Sequence, residues 1–123
     1  MKVEIEIKDE DIVDALVGAF EGGSNYWYNL PDASMVKRIE GKCISECITL
    51  SALYYGVAIP VYDVEEYEEE EGDSFLGYIN KENIERGIKL YMDEYGTIKP
   101  EEMDAGDSDT LLQLIVMGEV VYG

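Results

Sequence analysis

Apolar and polar residues follow strand-like patterns at several places along the chain. These patterns predict strands over residues 2–7, 33–41 and 57–64, because side chains of an extended chain point alternately to the two faces of a sheet. Residues 75–79 extend a strand or lead into a turn. Proline donates no ladder hydrogen bond, so Pro60 is expected to place its strand at a sheet edge or at a bulge.

Apolar residues at helical spacing predict four helices, each ending at glycine. The first is capped by Asp9, the second carries residues 44–52, the third is capped by Asn80, and the fourth is capped by Asp107 or Ser108. The last helix is apolar nearly all round, so we expect it to be central. The glycines expected to end the helices are, in chain order, the pair Gly22 and Gly23, then Gly56, Gly96 and Gly118.

Together these elements predict a single α+β domain over residues 1–123, in which a small mixed or antiparallel sheet is packed by three to four helices. The hydrophobic share of 46% is ordinary for a chain that buries a core. It excludes a disordered acidic tail, which would combine high charge with low hydrophobicity.

The formal net charge of −19 on 123 residues changes this picture most. Eight acidic residues and no basic one lie within 63–73, which we expect to be an acidic loop or an edge segment. Such a field repels nucleic acid and anionic membranes, so we expect the protein to bind neither directly and to favour a basic protein partner. The bland interpretation, that the run only keeps a solvated loop soluble, stays open.

Localisation and redox state follow from what the chain lacks. No apolar run approaches the roughly 20 residues of a membrane-spanning helix, and the start MKVEIEIKDE has neither the basic nor the apolar region of a secretory signal. We therefore expect a cytoplasmic protein. Cys43 and Cys47 are poorly placed for a disulfide, which predicts buried free thiols.

Candidate catalytic residues are few, because the chain contains no histidine. Its serines lack the flanking glycines of a nucleophile elbow, and the sequence singles out no pair of carboxylates for acid and base work. Asp104, Asp107 and Asp109 lie close enough together for a metal ion, but their spacing does not match a calcium-binding loop, and helix capping explains them better. We expect no enzymatic activity, no metal and no cofactor.

Three consecutive aromatic residues, Tyr26, Trp27 and Tyr28, stand between a glycine pair and a proline. In an extended chain they cannot all point into a core, so at least one is expected to face outward or line a groove. They predict a stacking platform for a planar ligand or an anchor for a protein interface, unless Trp27 fills the core and the tyrosines close over it. Arg38 and Lys42 follow this aromatic loop closely in the sequence. They are expected either to hold the phosphate of a ligand or to be exposed residues of a strand.

Two motifs stand at opposite ends of the chain: EGG-x-NYW at residues 21–27 and GE-x-VYG at residues 118–123. With the stretches around them, ALVGAFEGGSNYWYNL and DAGDSDTLLQLIVMGEVVYG, they resemble a family of small acidic proteins encoded by phages and prophages of Gram-positive bacteria. No activity comes with the resemblance. It implies an accessory phage protein, and counter-defence inhibitors are common among these.

The leading hypothesis is a phage counter-defence inhibitor, similar in composition to acidic anti-CRISPR and anti-restriction proteins. Its carboxylates would mimic nucleic acid and occupy the basic channel of a nucleic-acid-binding host protein. The expected partner-binding residues are Glu65, Glu66, Tyr67, Glu68, Glu69, Glu70, Glu71, Asp73 and Trp27.

Two other hypotheses belong to different classes. One is a binder that sequesters a nucleotide immune signal, in which an aromatic loop and a local basic patch hold the base and the phosphate. Its expected ligand-binding residues are Tyr26, Trp27, Tyr28, Arg38 and Lys42. The other is an accessory structural protein that forms a homodimer through exposed tyrosines.

Overall fold

Four α-helices and a three-stranded antiparallel sheet form a small α+β fold in the computed structural model, which describes residues 7–31, 33–64 and 75–123. The predicted fold class is confirmed. The helices are α1 (Asp9–Gly18), α2 (Ile44–Tyr54), α3 (Lys81–Tyr95) and α4 (Ala105–Met117). The strands are β1 (Tyr28–Asn29), β2 (Ile59–Asp63) and β3 (Phe75–Ile79), and short turns of π- or 3-10 helix lie at Ala19–Gly23, Ala33–Met35 and Pro100–Glu102.

The sheet has the strand order β1-β2-β3, with β2 in the middle. The edge position expected for the strand of Pro60 is wrong, because β2 is the middle strand. The alternative, a bulge, lies close by, since the register between β2 and β3 shifts between Val61 and Tyr62. Strand β1 reaches only Tyr62 and Asp63 of β2, so among the described residues Pro60 is paired on the β3 side alone, where its missing amide hydrogen is tolerated.

The strand predicted over residues 33–41 is wrong. A short 3-10 turn occupies Ala33–Met35, and the chain then runs beside α2 without joining the sheet. Its backbone donors are satisfied by side chains of that helix: the N–H of Lys37 donates to Ser51 Oγ at 2.8 Å, and the N–H of Ile39 donates to Cys47 Sγ at 3.5 Å. These bonds replace the ladder that a strand partner would supply.

The strand predicted over residues 2–7 falls outside the described residues except for Ile7, which is not in a strand. The prediction of buried free thiols is confirmed for Cys47 and wrong for Cys43. Cys43 is exposed because it is the residue that precedes α2 and not part of the buried helix face.

Helix ends follow the predicted glycines and one of the three predicted caps. The cap predicted at Asp9 is wrong, because Asp9 is the first residue of α1 and the preceding residue, Lys8, makes no side-chain capping bond. Asn80 caps α3, since its Oδ1 accepts the N–H of Asn83 at 2.8 Å, and Gly96 and Gly118 end α3 and α4 with positive φ. The cap of α4 is Asp104 and neither Asp107 nor Ser108. None of the helices in the described ranges combines the length and apolar character that crossing a bilayer requires.

Helix α4 is the centre of the fold, as its apolar sequence predicts. It packs against α1, α3 and β3, and Leu111, Leu112 and Ile115 are fully buried. Two glycines permit this close packing: a Cβ at Gly87 of α3 would lie 2.7 Å from the backbone nitrogen of Ile115, and one at Gly77 of β3 would overlap the carbonyl oxygen of Val116. The helix that carries Asp109 is thus held from several sides.

Candidate functional site

The aromatic loop is a compact turn and not an extended segment. Helix α1 continues into the π-helical turn Ala19–Gly23, which ends where Gly22 adopts a φ of 158°. The carbonyl of Ser24 then accepts the N–H groups of both Trp27 and Tyr28, at 3.1 and 3.2 Å. This turn directs the consecutive aromatic side chains to different surroundings: Tyr26 is 49% exposed, whereas Trp27 is 1% exposed.

Asp109 lies at the centre of a hydrogen-bond network beneath this loop, and it is only 8% exposed. Its Oδ1 accepts Ser24 Oγ at 2.7 Å and Trp27 Nε1 at 2.6 Å. Its Oδ2 accepts the hydroxyl of Tyr26 at 2.6 Å and Gln113 Nε2 at 3.2 Å. Among the described residues no lysine or arginine pairs with Asp109, so neutral donors stabilise the buried carboxylate.

Gln113 connects this carboxylate to the last residues of the chain. Its Oε1 accepts the N–H groups of Val121 and Tyr122, both at 2.8 Å, and its Nε2 also donates to the carbonyl of Tyr122 at 3.0 Å. One buried amide therefore fixes the backbone that follows α4. Since every polar atom of the Gln113 side chain has a partner, its orientation is determined.

Tyr122 completes the connection between the C-terminal segment and the sheet. Its ring stacks on Trp27, with ring centroids 5.4 Å apart and planes inclined by 14°. Its hydroxyl donates to Asp63 Oδ2, at the end of β2, at 2.6 Å. Residues 15–30 and 104–123 thus meet around Asp109 and Gln113. We name this set of residues, Ser24, Tyr26, Trp27, Asp63, Asp109, Gln113 and Tyr122, the carboxylate network.

Sequence reasoning missed the role of Asp109 and Gln113. Asp104 is the N-cap of α4, and Asp107, three residues on, completes the capping box by accepting the N–H of Asp104 at 3.2 Å while its own N–H donates to Asp104 at 2.8 Å, so the expectation of helix capping is confirmed for this pair. Asp109 does not cap the helix. The available signal was the spacing of Asp109 and Gln113, two polar residues one turn apart in an otherwise buried helix, which need polar partners inside the fold. In the described ranges no group of three metal-ligating side chains occurs.

The partner-binding residues predicted from the sequence are only partly placed. Trp27 is enclosed, which corrects its assignment as a surface anchor: its indole donates to Asp109 and its ring is covered by Tyr122. The remaining residues of that set, Glu65, Glu66, Tyr67, Glu68, Glu69, Glu70, Glu71 and Asp73, lie outside the described residues.

The aromatic residues predicted to stack on a nucleotide, Tyr26, Trp27 and Tyr28, do not form an open platform. Trp27 has no accessible face, and Tyr28 packs edge-on against both Phe20 and Trp27. The outward-facing aromatic that the sequence predicts is Tyr26, whose hydroxyl is engaged by Asp109. Of the basic residues, Arg38 is exposed, and Lys42 pairs with Glu46 at 3.8 Å.

A groove of about 550 Å³ lies elsewhere, between α1, α2 and α3. Its floor is apolar, from Ile12, Leu53, Ile84, Ile88 and Met92. Three acidic residues and two lysines surround it: Asp9, Glu85, Asp93, Lys81 and Lys89. With more acidic than basic side chains, this groove offers no electropositive site for an anionic ligand.

Comparison of the chain with protein-family models, with curated proteins and with solved structures gave no match.

Substituting Asp109→Asn should lower the free energy of unfolding by about 2 kcal/mol, measured by urea denaturation. The Asn side chain keeps one acceptor oxygen, but its NH₂ group faces the NH₂ group of Gln113, so two donors meet. Gln113 cannot turn over to relieve this, because the N–H groups of Val121 and Tyr122 hold its oxygen in place. Asp93→Asn on the exposed face of α3 removes the same charge and should change stability by less than about 0.5 kcal/mol. Equal effects of the two substitutions would contradict the network.

The network also predicts a stability loss at high pH. Burial of the hydroxyl, and after it the hydrogen bond to Asp109, raises the pKa of Tyr26 from its ordinary value of 10.0 to about 12. The folded state holds this proton more tightly than the unfolded state. The stabilisation is therefore complete below about pH 10 and declines as the pH rises towards about 12.

Denaturation of the wild type and of Tyr26→Phe across this range provides the measurement. The stability difference between the two proteins should shrink as the pH rises, because only the wild type loses the Tyr26 proton. A difference that stays constant over the same range would show that the hydroxyl of Tyr26 does not titrate as described.

Proposed function

We propose that this protein binds a basic, nucleic-acid-binding host protein through its acidic surface and blocks its access to nucleic acid. On this proposal it is a phage-encoded counter-defence inhibitor that acts in the cytoplasm of the infected bacterium and catalyses no reaction. The observation that carries the proposal is a net charge of −19 on a folded chain. Duplex DNA carries one charge per about 1.7 Å of axis, so closely spaced carboxylates are suited to the same basic channels.

The charge is largely uncompensated at the surface of the described residues. Only two ion pairs occur there, Lys42 with Glu46 at 3.8 Å and Lys99 with Glu102 at 3.9 Å. Both join residues within one helical turn, and exposed pairs of this kind contribute little. Exposed carboxylates on α1, α3 and the turn before α4 therefore add to the negative field that would attract a basic protein.

The hydrogen-bonded interior provides a rigid scaffold that carries this surface charge. Asp109 is buried and paired with neutral donors, so its charge belongs to the fold and not to the binding surface. The densest acidic stretch, residues 65–73, connects β2 to β3 in the sequence. A partner that binds by charge would meet its highest local density of carboxylates on that connection.

The proposal is tested by capture from a nuclease-treated bacterial lysate on the immobilised protein, at low and at physiological salt. The captured protein is identified by mass spectrometry and its nucleic acid binding is measured with and without this chain. We expect a basic partner whose capture falls steeply with salt and whose nucleic acid binding is competed. Changing Glu66, Glu68, Glu69 and Glu70 together to Gln should abolish capture.

A matched control changes four exposed acids of α3, Glu82, Glu85, Asp93 and Glu94, to their amides. This control alters the net charge by the same amount and should retain most of the capture, because it leaves the acidic connection intact. Undiminished capture by the variant altered at residues 66–70, or nucleic acid binding by the partner that is unaffected by this chain, would refute the proposal.

A further inference from the structure

The outer face of the sheet carries a row of exposed aromatic side chains. The inner face is filled by Ile59, Val61 and Ile79, each 0% exposed. On the opposite face lie Pro60, Tyr62, Phe75 and Tyr78, which we call the aromatic face. Phe75 and Tyr78 remain 39% and 44% exposed and lie next to each other, and contiguous exposed apolar groups often mark interaction sites.

A β-bulge places Phe75 and Tyr78 on the same face. In a regular strand, residues three apart point to opposite faces. Here Tyr62 is opposite Phe75 while Val61 is opposite Gly77, so Leu76 is an extra residue in β3. The extra residue reverses the alternation, and Phe75 turns outward beside Tyr78 instead of inward.

The rings of the aromatic face are ordered by contact with one another. Tyr62 and Phe75 pack edge to face with centroids 5.6 Å apart, and Phe75 and Tyr78 do so at 5.0 Å. Rings held in this way lose little conformational freedom when a partner binds. A partner could in principle add a strand to the edge at β3, but the carbonyl of Tyr78 already accepts Asn83 Nδ2 at 2.8 Å and that bond would have to break. A partner that binds on the aromatic face leaves this bond intact.

Charge identifies the chemistry of the occupant. In the sequence, residues 65–74 between β2 and β3 include seven acidic residues and no basic one. A second copy of this chain would bring another charge of −19 to the same place, which opposes self-association. Arginine fits both features, because its planar guanidinium stacks on aromatic rings and also pairs with carboxylates.

We propose that the aromatic face anchors an arginine-rich segment of the partner, with guanidinium groups stacked on Phe75 and Tyr78. The inference rests on the proposed function, of which it specifies the partner's chemistry. Aromatic residues that are desolvated on binding dominate many interfaces, while surrounding charges contribute mainly to association rate and specificity. The acidic connection attracts the partner, and the aromatic face distinguishes arginine from lysine.

Titration calorimetry with an oligoarginine peptide and an oligolysine peptide of equal length tests this inference. The wild type should bind the arginine peptide more tightly. Changing Phe75 and Tyr78 together to Leu keeps an apolar surface but removes both rings. It should weaken arginine-peptide binding by about tenfold, as expected for two exposed cation–π contacts, and should abolish the preference over lysine.

A matched control changes Tyr54 and Tyr55 at the end of α2, which are 60% and 55% exposed, to Leu. This control should keep the arginine preference. A nitroxide-labelled arginine peptide added to the unaltered protein gives a measurement that needs no substitution, and it should broaden the ring resonances of Phe75 and Tyr78 before those of Tyr54 and Tyr55. Unbroadened Phe75 and Tyr78 rings, or equal affinity of the Leu variant and the wild type, would overturn the inference.

The experiment also separates this inference from the proposed function. If the variant with Gln at residues 66, 68, 69 and 70 loses peptide binding while the Phe75 and Tyr78 variant does not, the aromatic face is refuted and the charge-based proposal stands. If only the Phe75 and Tyr78 variant loses binding, the aromatic face stands and attraction by the acidic connection is refuted.

Discussion

The fold depends on a buried carboxylate that has no cationic partner among the described residues. A charge inside a protein is costly unless hydrogen bonds replace its lost hydration. Asp109 meets this requirement with donors from Ser24, Tyr26 and Trp27 and from Gln113 on its own helix. Removing any of these donors leaves part of the charge unsatisfied. The loop after α1 is therefore fixed to α4 by an energetic constraint, and Gln113 extends that constraint to the end of the chain.

This constraint explains why distant parts of the sequence are adjacent. Trp27 and Tyr122 stack because each is positioned by a hydrogen bond to α4, one through its indole and one through its backbone. Tyr122 then reaches Asp63 at the end of β2, so the sheet belongs to the same network. The motifs at residues 21–27 and 118–123 are thus two sides of one structural unit, in which Trp27 and Tyr122 are used inside the fold.

Regular periodicity made most of the fold predictable. The helices, the central position of α4 and the Asn80 cap follow from local residue patterns, whereas Pro60 does not lie on an edge strand as one of its two predictions had it. The strand predicted at 33–41 failed because alternation alone does not identify the hydrogen-bond partner, which here is supplied by Ser51 and Cys47. The carboxylate network was missed for a related reason. A polar residue in an apolar helix signals a buried partner, but the partners of Asp109 lie 82 to 85 residues away in sequence.

Negative charge has two separate roles in this account. Inside, one carboxylate organises neutral donors. Outside, exposed carboxylates outnumber basic side chains among the described residues, and we propose that this excess attracts a basic partner. The aromatic side chains divide in the same way, since Trp27 is enclosed while Phe75 and Tyr78 are presented by a bulge. A surface with this much self-repulsion needs a core with strong specific contacts, and the carboxylate network provides them.

The most direct measurement of the central claim is hydrogen exchange of the indole N–H of Trp27, the only tryptophan in the chain, followed by nuclear magnetic resonance. A hydrogen bond of 2.6 Å to a buried carboxylate predicts one sharp indole resonance whose exchange with solvent is as slow as that of the core amides of α4. Exchange at the rate of a solvent-exposed indole would contradict the account.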